Sequence, residues 1–414
     1  MRLDHLQRGQ QAKDLPGSDS LYENLLISFC NQSSPPGYSL LFIDANGMDF
    51  ALWVDFSSIP DEIRPSFSSI CGVCSVGEQV IIATQSKMPM LALLDIKTAK
   101  VTGYFRLNHC KDSHSLLYHN NYVYIVSTQT NELYRVALQD GCFGLEELYW
   151  RYPGVSYEKD EVHLNGLTIE GDRFIASCFG ARGADGVFGS EGRVFYVDSG
   201  QTIQGSLCQP HSPHVAGQRL IIAESAAHRI NVFTKGVQGE WVLGKAFDLD
   251  GYARGVALKG DRLWVGISAD RKLSRSEQKF FDASEPSEER ISDSGIVLLD
   301  LATEKEITKF SLLPFGREVY DIVMLSLHPT LLPIAEIANK RIRAMETCVD
   351  NYVAELSHLS LNAREETARL QRAQADEIAR LKHTISWRIT TPLRAIKELW
   401  LGLFSDRKNP KQSS

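Results

Sequence analysis

The sequence predicts an all-β protein, a six-bladed β-propeller followed by a C-terminal α-helical arm. Three observations predict it. First, one pattern recurs six times: a distinctive residue, a small residue, two to four mostly apolar residues, a tight polar turn, and an apolar run. The repeats begin at Cys71-Gly72-Val73, His114-Ser115-Leu116, Asn165-Gly166-Leu167, His211-Ser212-Pro213, Arg254-Gly255-Val256 and Tyr320-Asp321-Ile322, at spacings of 43, 51, 46, 43 and 66 residues. A period of that size, built from short strands and Gly turns, marks a propeller. Second, in the first five repeats the turn falls six residues on, at Gly77, Asn120, Gly171, Gly217 and Gly260, ahead of apolar runs such as QVIIAT and RLIIAE. Third, the last repeat supplies only one clear strand, VYDIVMLSL, while a surplus hairpin stands at the other end of the chain. Pairing the two closes the ring and removes exposed sheet edges.

The elements follow in order. Residues 1–36 read as a loose leader ending in SSPPG, a turn signal. Residues 37–328 form the propeller, opening with YSLLFIDA, an Asn46-Gly47 turn and DFALWVDF. Asn-Gly between apolar runs is a hairpin signal, and the 38–56 hairpin is expected to pair with the strand at 319–327. LNGLTIEG, DRFIASCF, GRVFYVDSG and TIQGSLC give four short strands, the content of one blade. No repeat with the six-residue offset is found in 38–70, which argues against a seventh blade. Residues 329–386 form a long helix or coiled coil: 333–385 are rich in Ala, Glu, Arg and Leu, with Leu370, Ile378, Leu381 and Ile385 at helical spacing. Residues 387–414 form an amphipathic tail. Leu393, Ile396, Leu399, Trp400, Leu403 and Phe404 share a face there, flanked by Arg388, Arg394 and Lys397.

Composition narrows the function. The net charge of −7 argues against nucleic acid as a partner. The eight Cys are scattered, which does not suggest a disulfide framework. Cys71 and Cys74 make one CxxC without a second, so a zinc ribbon is not expected. The polar N-terminus is unlike a signal peptide, and no run of 18 apolar residues exists to span a membrane as a helix. A cytoplasmic location follows as the default expectation. GARGADG lacks the GK[ST] of a phosphate loop, and no GxSxG nucleophile elbow is present.

The runs VHLNGL, QPHSPHV, YARGVALKGDRLWVGIS and EVYDIVML resemble a bacterial family of propeller-like proteins of unknown function, DUF4915, over about 38–328. Members are often found beside glycosyltransferases or fused to them. Separately, SWRITTPLRAI at 386–396 resembles a tail segment of surface-polysaccharide glycosyltransferases. Together the resemblances imply a part in assembling a bacterial surface glycan.

The recurring column should line one end of the channel. Two loops between second and third strands, about 180–192 and 271–294, should overhang that face. The candidate ligand-binding residues are Cys71, His114, His163, Asn165, His211, His214, Arg254, Arg271 and Tyr320. Arg254 fits a carboxylate or phosphate in bidentate fashion, or it forms a structural ion pair with Glu318 or Asp321. His114, His211 and Glu224 are the candidate catalytic groups, and Cys71 is a candidate nucleophile beside His114 or else a small core residue. His114 and His211 are the candidate ligands should a divalent metal bind.

The functional expectation is a cytoplasmic propeller binding an anionic sugar or glycan precursor at the channel mouth. The alternatives are a lyase, epimerase or hydrolase acting on such a sugar, and an inert scaffold for a glycosyltransferase complex. The expected partners are that ligand, a glycosyltransferase, a membrane surface touched through 387–404, and a second copy through 333–385.

Overall fold

The computed structural model describes residues 24–30, 39–43, 54, 56, 58–183, 186–269, 293–313, 315–325, 360, 364, 366–380 and 394–398. Five antiparallel sheets of four strands and one of three make six blades. Blade 1 runs Ile70–Val76, Gln79–Thr84, Met90–Asp95 and Lys100–Arg106, from the axis outward. Blade 2 runs from Ser113–His119 to Cys142–Arg151, blade 3 from Leu164–Glu170 to Thr202–Leu207, blade 4 from Pro210–Ala216 to Trp241–Asp248, and blade 5 from Tyr252–Lys259 to Lys305–Ser311. Each innermost strand touches the innermost strands of the blades before and after it, and the sixth touches the first, so the ring is closed.

Blade 6 draws on both ends of the propeller, and here the sequence-based expectation needs correction. The partner of Val319–Met324 is Leu25–Phe29, with Ile27 opposite Ile322. Leu40–Ile43 then pairs with Leu25–Phe29, Leu41 opposite Ile27. The first closing strand therefore lies inside the segment expected to be a leader, and the propeller starts before residue 37. LLISF is a short run buried on both faces. Such a run has no alternation to announce a strand, and its polar flanks hid it. The Asn46-Gly47 turn and most of DFALWVDF lie outside the described residues.

The six-residue offset has a plain backbone cause. Gly77, Gly171, Gly217 and Gly260 take φ near +60°, and Asn120 takes +49°. These are the turn conformations that join tight hairpins. The glycine after Cys71, Asn165 and Arg254 is also a packing requirement. A side chain on Gly72 would stand 2.5 Å from the His114 carbonyl of the next blade. One on Gly255 would stand 2.8 Å from the Asp321 Cα. Adjacent inner strands come closer here than a Cβ allows.

Every seam between blades is fastened by one side chain donating a hydrogen bond to a carbonyl of the next inner strand. Ser28 Oγ donates to the Cys71 carbonyl at 2.7 Å and Cys71 Sγ to Ser113 at 2.7 Å. Thr128 Oγ1 donates to Leu164 at 2.6 Å and Asn165 Nδ2 to Pro210 at 3.0 Å. Ser225 Oγ donates to Ala253 at 2.6 Å and Ser268 Oγ to Val319 at 2.9 Å. The inner strands lose ladder register at the same level, for instance between Ile70 and Val73 or between Arg254 and Val256. The bulges free these carbonyls for the neighbouring blade.

The chain divides into two compact units, Met1–Arg341 and Ile342–Ser414. In the second, residues 366–380 are helical and largely exposed, as the sequence predicts for that stretch, and 394–398 form an exposed helical turn. Leu381, Ile385, Trp400 and Phe404 lie outside the described residues. Among the described residues, no helix is long and apolar enough to cross a membrane.

Candidate functional site

All six column residues lie at the start of an inner strand, and all are buried. They do two different jobs. Cys71 and Asn165 belong to the fasteners. The Cys71 thiol also reaches the Ala83 carbonyl at 3.3 Å. Burial pushes its pKa well above the ordinary thiol range. The thiol is a held proton donor, not an activated nucleophile. Asn165 Oδ1 accepts from Ser177 Oγ at 2.6 Å.

The other four column residues join a circuit of rings around the axis. His114 meets Tyr320 edge-on at 5.5 Å and His163 at 5.3 Å. His163 stacks on Phe179 at 4.2 Å, and Phe179 meets His211 at 5.0 Å. His211 meets Tyr252 at 5.6 Å. The Arg254 guanidinium lies 4.8 Å from the Tyr252 ring centre and 5.5 Å from that of Tyr320, which closes the circuit. His163 enters it from the loop ahead of blade 3, in a left-handed conformation with φ +50°. Phe179 and Tyr252 went unnoticed in the sequence because aromatics at strand ends read as core.

Hydrogen bonds fix the histidine tautomers. His211 Nδ1 faces the Gln209 carbonyl at 3.2 Å and Ser225 Oγ at 2.8 Å, and the Ser225 hydroxyl already donates to Ala253. Nδ1 therefore carries the proton and Nε2 presents a lone pair. His114 Nδ1 faces the Asp112 carbonyl at 3.1 Å, with the same result. Burial is the main reason the pKa of His211 lies well below the usual imidazole value, with Arg254 adding to it. Burial, reinforced by His163, lowers that of His114 to about 4. Both rings are neutral at pH 7. His163 Nδ1 is 2.7 Å from Asp160 Oδ2. Against the cost of burial, His163 and Arg182 hold Asp160 below the usual carboxylate pKa.

Arg254 is charged despite burial, which disfavours the charge. Cys30, Tyr252 and Glu318 offset that cost. Its Nη1 is 3.7 Å from Glu318 Oε2 and 3.5 Å from Cys30 Sγ. Of the two ion-pair partners considered from sequence, Glu318 is the one in place. Three buried polar atoms of the circuit lack a hydrogen-bond partner among the described residues: His211 Nε2, Arg254 Nε and Tyr320 Oη. Buried polar groups are normally satisfied, so each of these three atoms has hydrogen-bonding capacity left for a water or a ligand.

The 180–192 loop does overhang this end. Arg182 Nη2 reaches Asp160 Oδ2 at 3.5 Å, its guanidinium lies 3.8 Å from the Phe188 ring centre, and Phe188 packs on His163 at 5.4 Å. Arg271 and most of the second loop lie outside the described residues. Glu224 does not join the circuit. It accepts from the Cys208 backbone N–H and from Asn231 Nδ2, both at 3.0 Å. His214 lies farther along its strand and lines the channel cavity, which has a volume of about 370 Å³. Among the described residues, no group of three or more His, Cys, Asp and Glu is placed to hold a metal ion.

These features define a class: a six-bladed propeller whose channel is crossed at one end by a polar and aromatic circuit. The chain belongs to the family described as Domain of unknown function (DUF4915), whose model matches residues 65–332. No curated protein matches it. Among solved structures it is similar to a chain of a nidogen/laminin complex, at 13% identity, covering 72% of this chain and 97% of that one, with a TM-score of 0.48. It is also similar to the periplasmic gluconolactonase PpgL of Pseudomonas aeruginosa, at 10% identity, 73% and 99% coverage and a TM-score of 0.47. A protein of unknown function from Bacteroides caccae gives 7% identity, 74% and 100% coverage and a TM-score of 0.48. Likeness at this level brings no activity to this chain.

Proposed function

We propose that this is a binding protein whose circuit takes a sugar bearing a carboxylate or phosphate, in the assembly of a bacterial surface glycan. The observation that carries the reading is the trio of unpartnered buried atoms. The neutral His211 Nε2 accepts from a sugar hydroxyl, the Tyr320 hydroxyl donates or accepts, and Arg254 Nε donates to an anionic oxygen. The flanking ring faces suit the C–H faces of a sugar. Glu318 competes for the same guanidinium, so the anionic group gains only what Arg254 gives beyond that pair.

For the catalytic alternative, the Cys71 thiol and the Glu224 carboxylate are committed to structural hydrogen bonds, which leaves His114 and His211 as its candidate groups. A cytoplasmic location, a glycosyltransferase partner, self-association through 333–385 and membrane contact through 387–404 belong to the same reading. The first rests on the N-terminus and composition, the second on the resemblances, and the last two on the sequence of the arm.

Calorimetric titration of the full chain with D-glucuronate and with D-glucose tests the ligand class. Glucuronate is expected to bind more tightly, and Arg254→Lys or His211→Ala to weaken it about tenfold or more, the loss of one good polar contact. Equal affinity for the two sugars, or for the variants, would remove the reading.

A further inference from the structure

The three histidines of the circuit are not alike. In His114 and His211 the Nδ1 proton goes to a backbone carbonyl. In His163 it goes to a carboxylate, Asp160 Oδ2, at 2.7 Å, with side chains 9% and 15% exposed. The other carboxylate oxygen, Oδ1, accepts the backbone N–H of the same histidine at 2.8 Å. Asp160 therefore grips both the backbone and the ring of His163.

The ring is fixed from its faces as well. It stacks on Phe179 at 4.2 Å and lies 5.4 Å from Phe188. The backbone is held at φ +50°, a strained conformation for a residue with a side chain. The neutral ring, with its proton on Nδ1, presents a lone pair at Nε2, and that atom makes no hydrogen bond among the described residues. A proton taken there creates an imidazolium, which the Asp160 charge stabilises. A carbonyl dipole does less for His114 and His211, and burial works against the charged form of both. His163 is the best-placed base of the three.

The order around the circuit sets what this base works with. His114 and Tyr320 separate His163 from Arg254 on one side, and Phe179, His211 and Tyr252 on the other. The base and the cation stand on opposite sides of the circuit. We infer that His163, positioned by Asp160, is a general base acting on the carbon beside the carboxylate of a uronate held by Arg254, so that the circuit is an active site. The inference rests on the reading that the circuit takes an anionic sugar. The C5–H bond of the uronate breaks, its electron pair moves into the carboxylate to give an enediolate, and the proton goes to Nε2. Arg254, whose Nε has no partner among the described residues, takes up the developing charge. Return of a proton to C5 completes the cycle, and no co-reactant is consumed.

Two measurements on the full chain test it. The first needs no sugar. Diethyl pyrocarbonate attacks imidazole through its lone pair, and peptide mapping should find His163 modified ahead of His114 and His211. Asp160→Asn turns an amide nitrogen toward Nδ1, moves the ring proton to Nε2, and should slow that modification about tenfold or more. In the wild type, saturating D-glucuronate should protect His163, a reading that requires no variant. An unreactive His163, or an unprotected one, would overturn the inference. The second follows the C5 proton of D-glucuronate in D₂O by NMR. The wild type should exchange it for deuterium. His163→Gln should lose exchange about 100-fold or more, the usual scale for a general base, while still binding glucuronate in calorimetry. Binding by the wild type without exchange would overturn the inference and leave the sugar-binding reading standing. Absence of binding would remove both.

Discussion

Arg254 and Glu318 form a buried ion pair across the seam between blades 5 and 6, at 3.7 Å, with side chains 9% and 12% exposed. The guanidinium is held on one edge, while its Nε has no partner among the described residues. Removing one member of a buried pair strands the other and costs about 3–5 kcal/mol.

Glu318→Gln keeps the shape and removes the competing charge. Stability should fall by about 1–3 kcal/mol, the cost of weakening a hydrogen-bonded charge, while glucuronate binds more tightly than in the wild type. Chemical denaturation and calorimetry on the same protein read both. Lower stability without tighter binding would make Arg254 a purely structural cation.

The fasteners make an equally direct prediction. Ser268→Ala and Thr128→Val each leave a buried carbonyl unsatisfied, Val319 and Leu164 respectively. Each should cost about 1–2 kcal/mol. The two seams are far apart in the ring, so the double variant should be additive within about 0.5 kcal/mol. Cys71→Ser should cost less than Cys71→Ala, because the hydroxyl can replace the thiol as donor to Ser113.

Removing residues 1–30 should be disruptive, because it deletes Leu25–Phe29 from between Val319–Met324 and Leu40–Ile43. Two buried strand edges would open, and the protein should aggregate in size-exclusion chromatography. A milder probe is Ile27→Ala, at the centre of both pairings, with an expected loss of about 2–5 kcal/mol.

Stability should decline in mild acid for a specific reason. His114 and His211 have folded pKa values below the unfolded value of about 6.5, so the unfolded chain binds more protons below that pH. Their contribution is complete above 6.5 and is lost as pH falls through the folded value, about 4 for His114. Asp321 opposes this. Its folded pKa of about 7 exceeds the unfolded value, so it destabilises the neutral protein and does so less as pH falls toward 4. Asp321→Asn should therefore steepen the loss in acid, although it leaves one of the Val73 and Ile322 N–H groups without an acceptor. Urea midpoints from pH 8 to pH 4 measure both slopes.

The repeat, its turn and the convergence of the column could all be read from the sequence. Gly77, Gly171, Gly217 and Gly260 announce a backbone conformation that few other residues adopt, and the spacing places the column at equivalent points of six strands. The division of labour within the column could not be read. Cys71 and Asn165 fasten seams while His211 and Arg254 face one another around Tyr252, and only the three-dimensional partners separate the two roles. The cavity was hidden for a different reason. It is lined by the same inner strands that build the blade cores, to which Leu116 and Val256 belong, so no separate pattern announces it. Leu25–Phe29 was missed because a five-residue run buried on both faces carries no period.

The composite sixth blade also sets the timing of function during synthesis. Leu25–Phe29 leaves the ribosome among the first elements and must wait for Val319–Met324, among the last of the propeller. That strand delivers Tyr320, which sits between His114 and Arg254 in the circuit. A nascent chain can stack five blades and still have an open circuit. The step that seals the ring also completes the circuit. Prematurely terminated chains would then lack the closed ring and the complete circuit together.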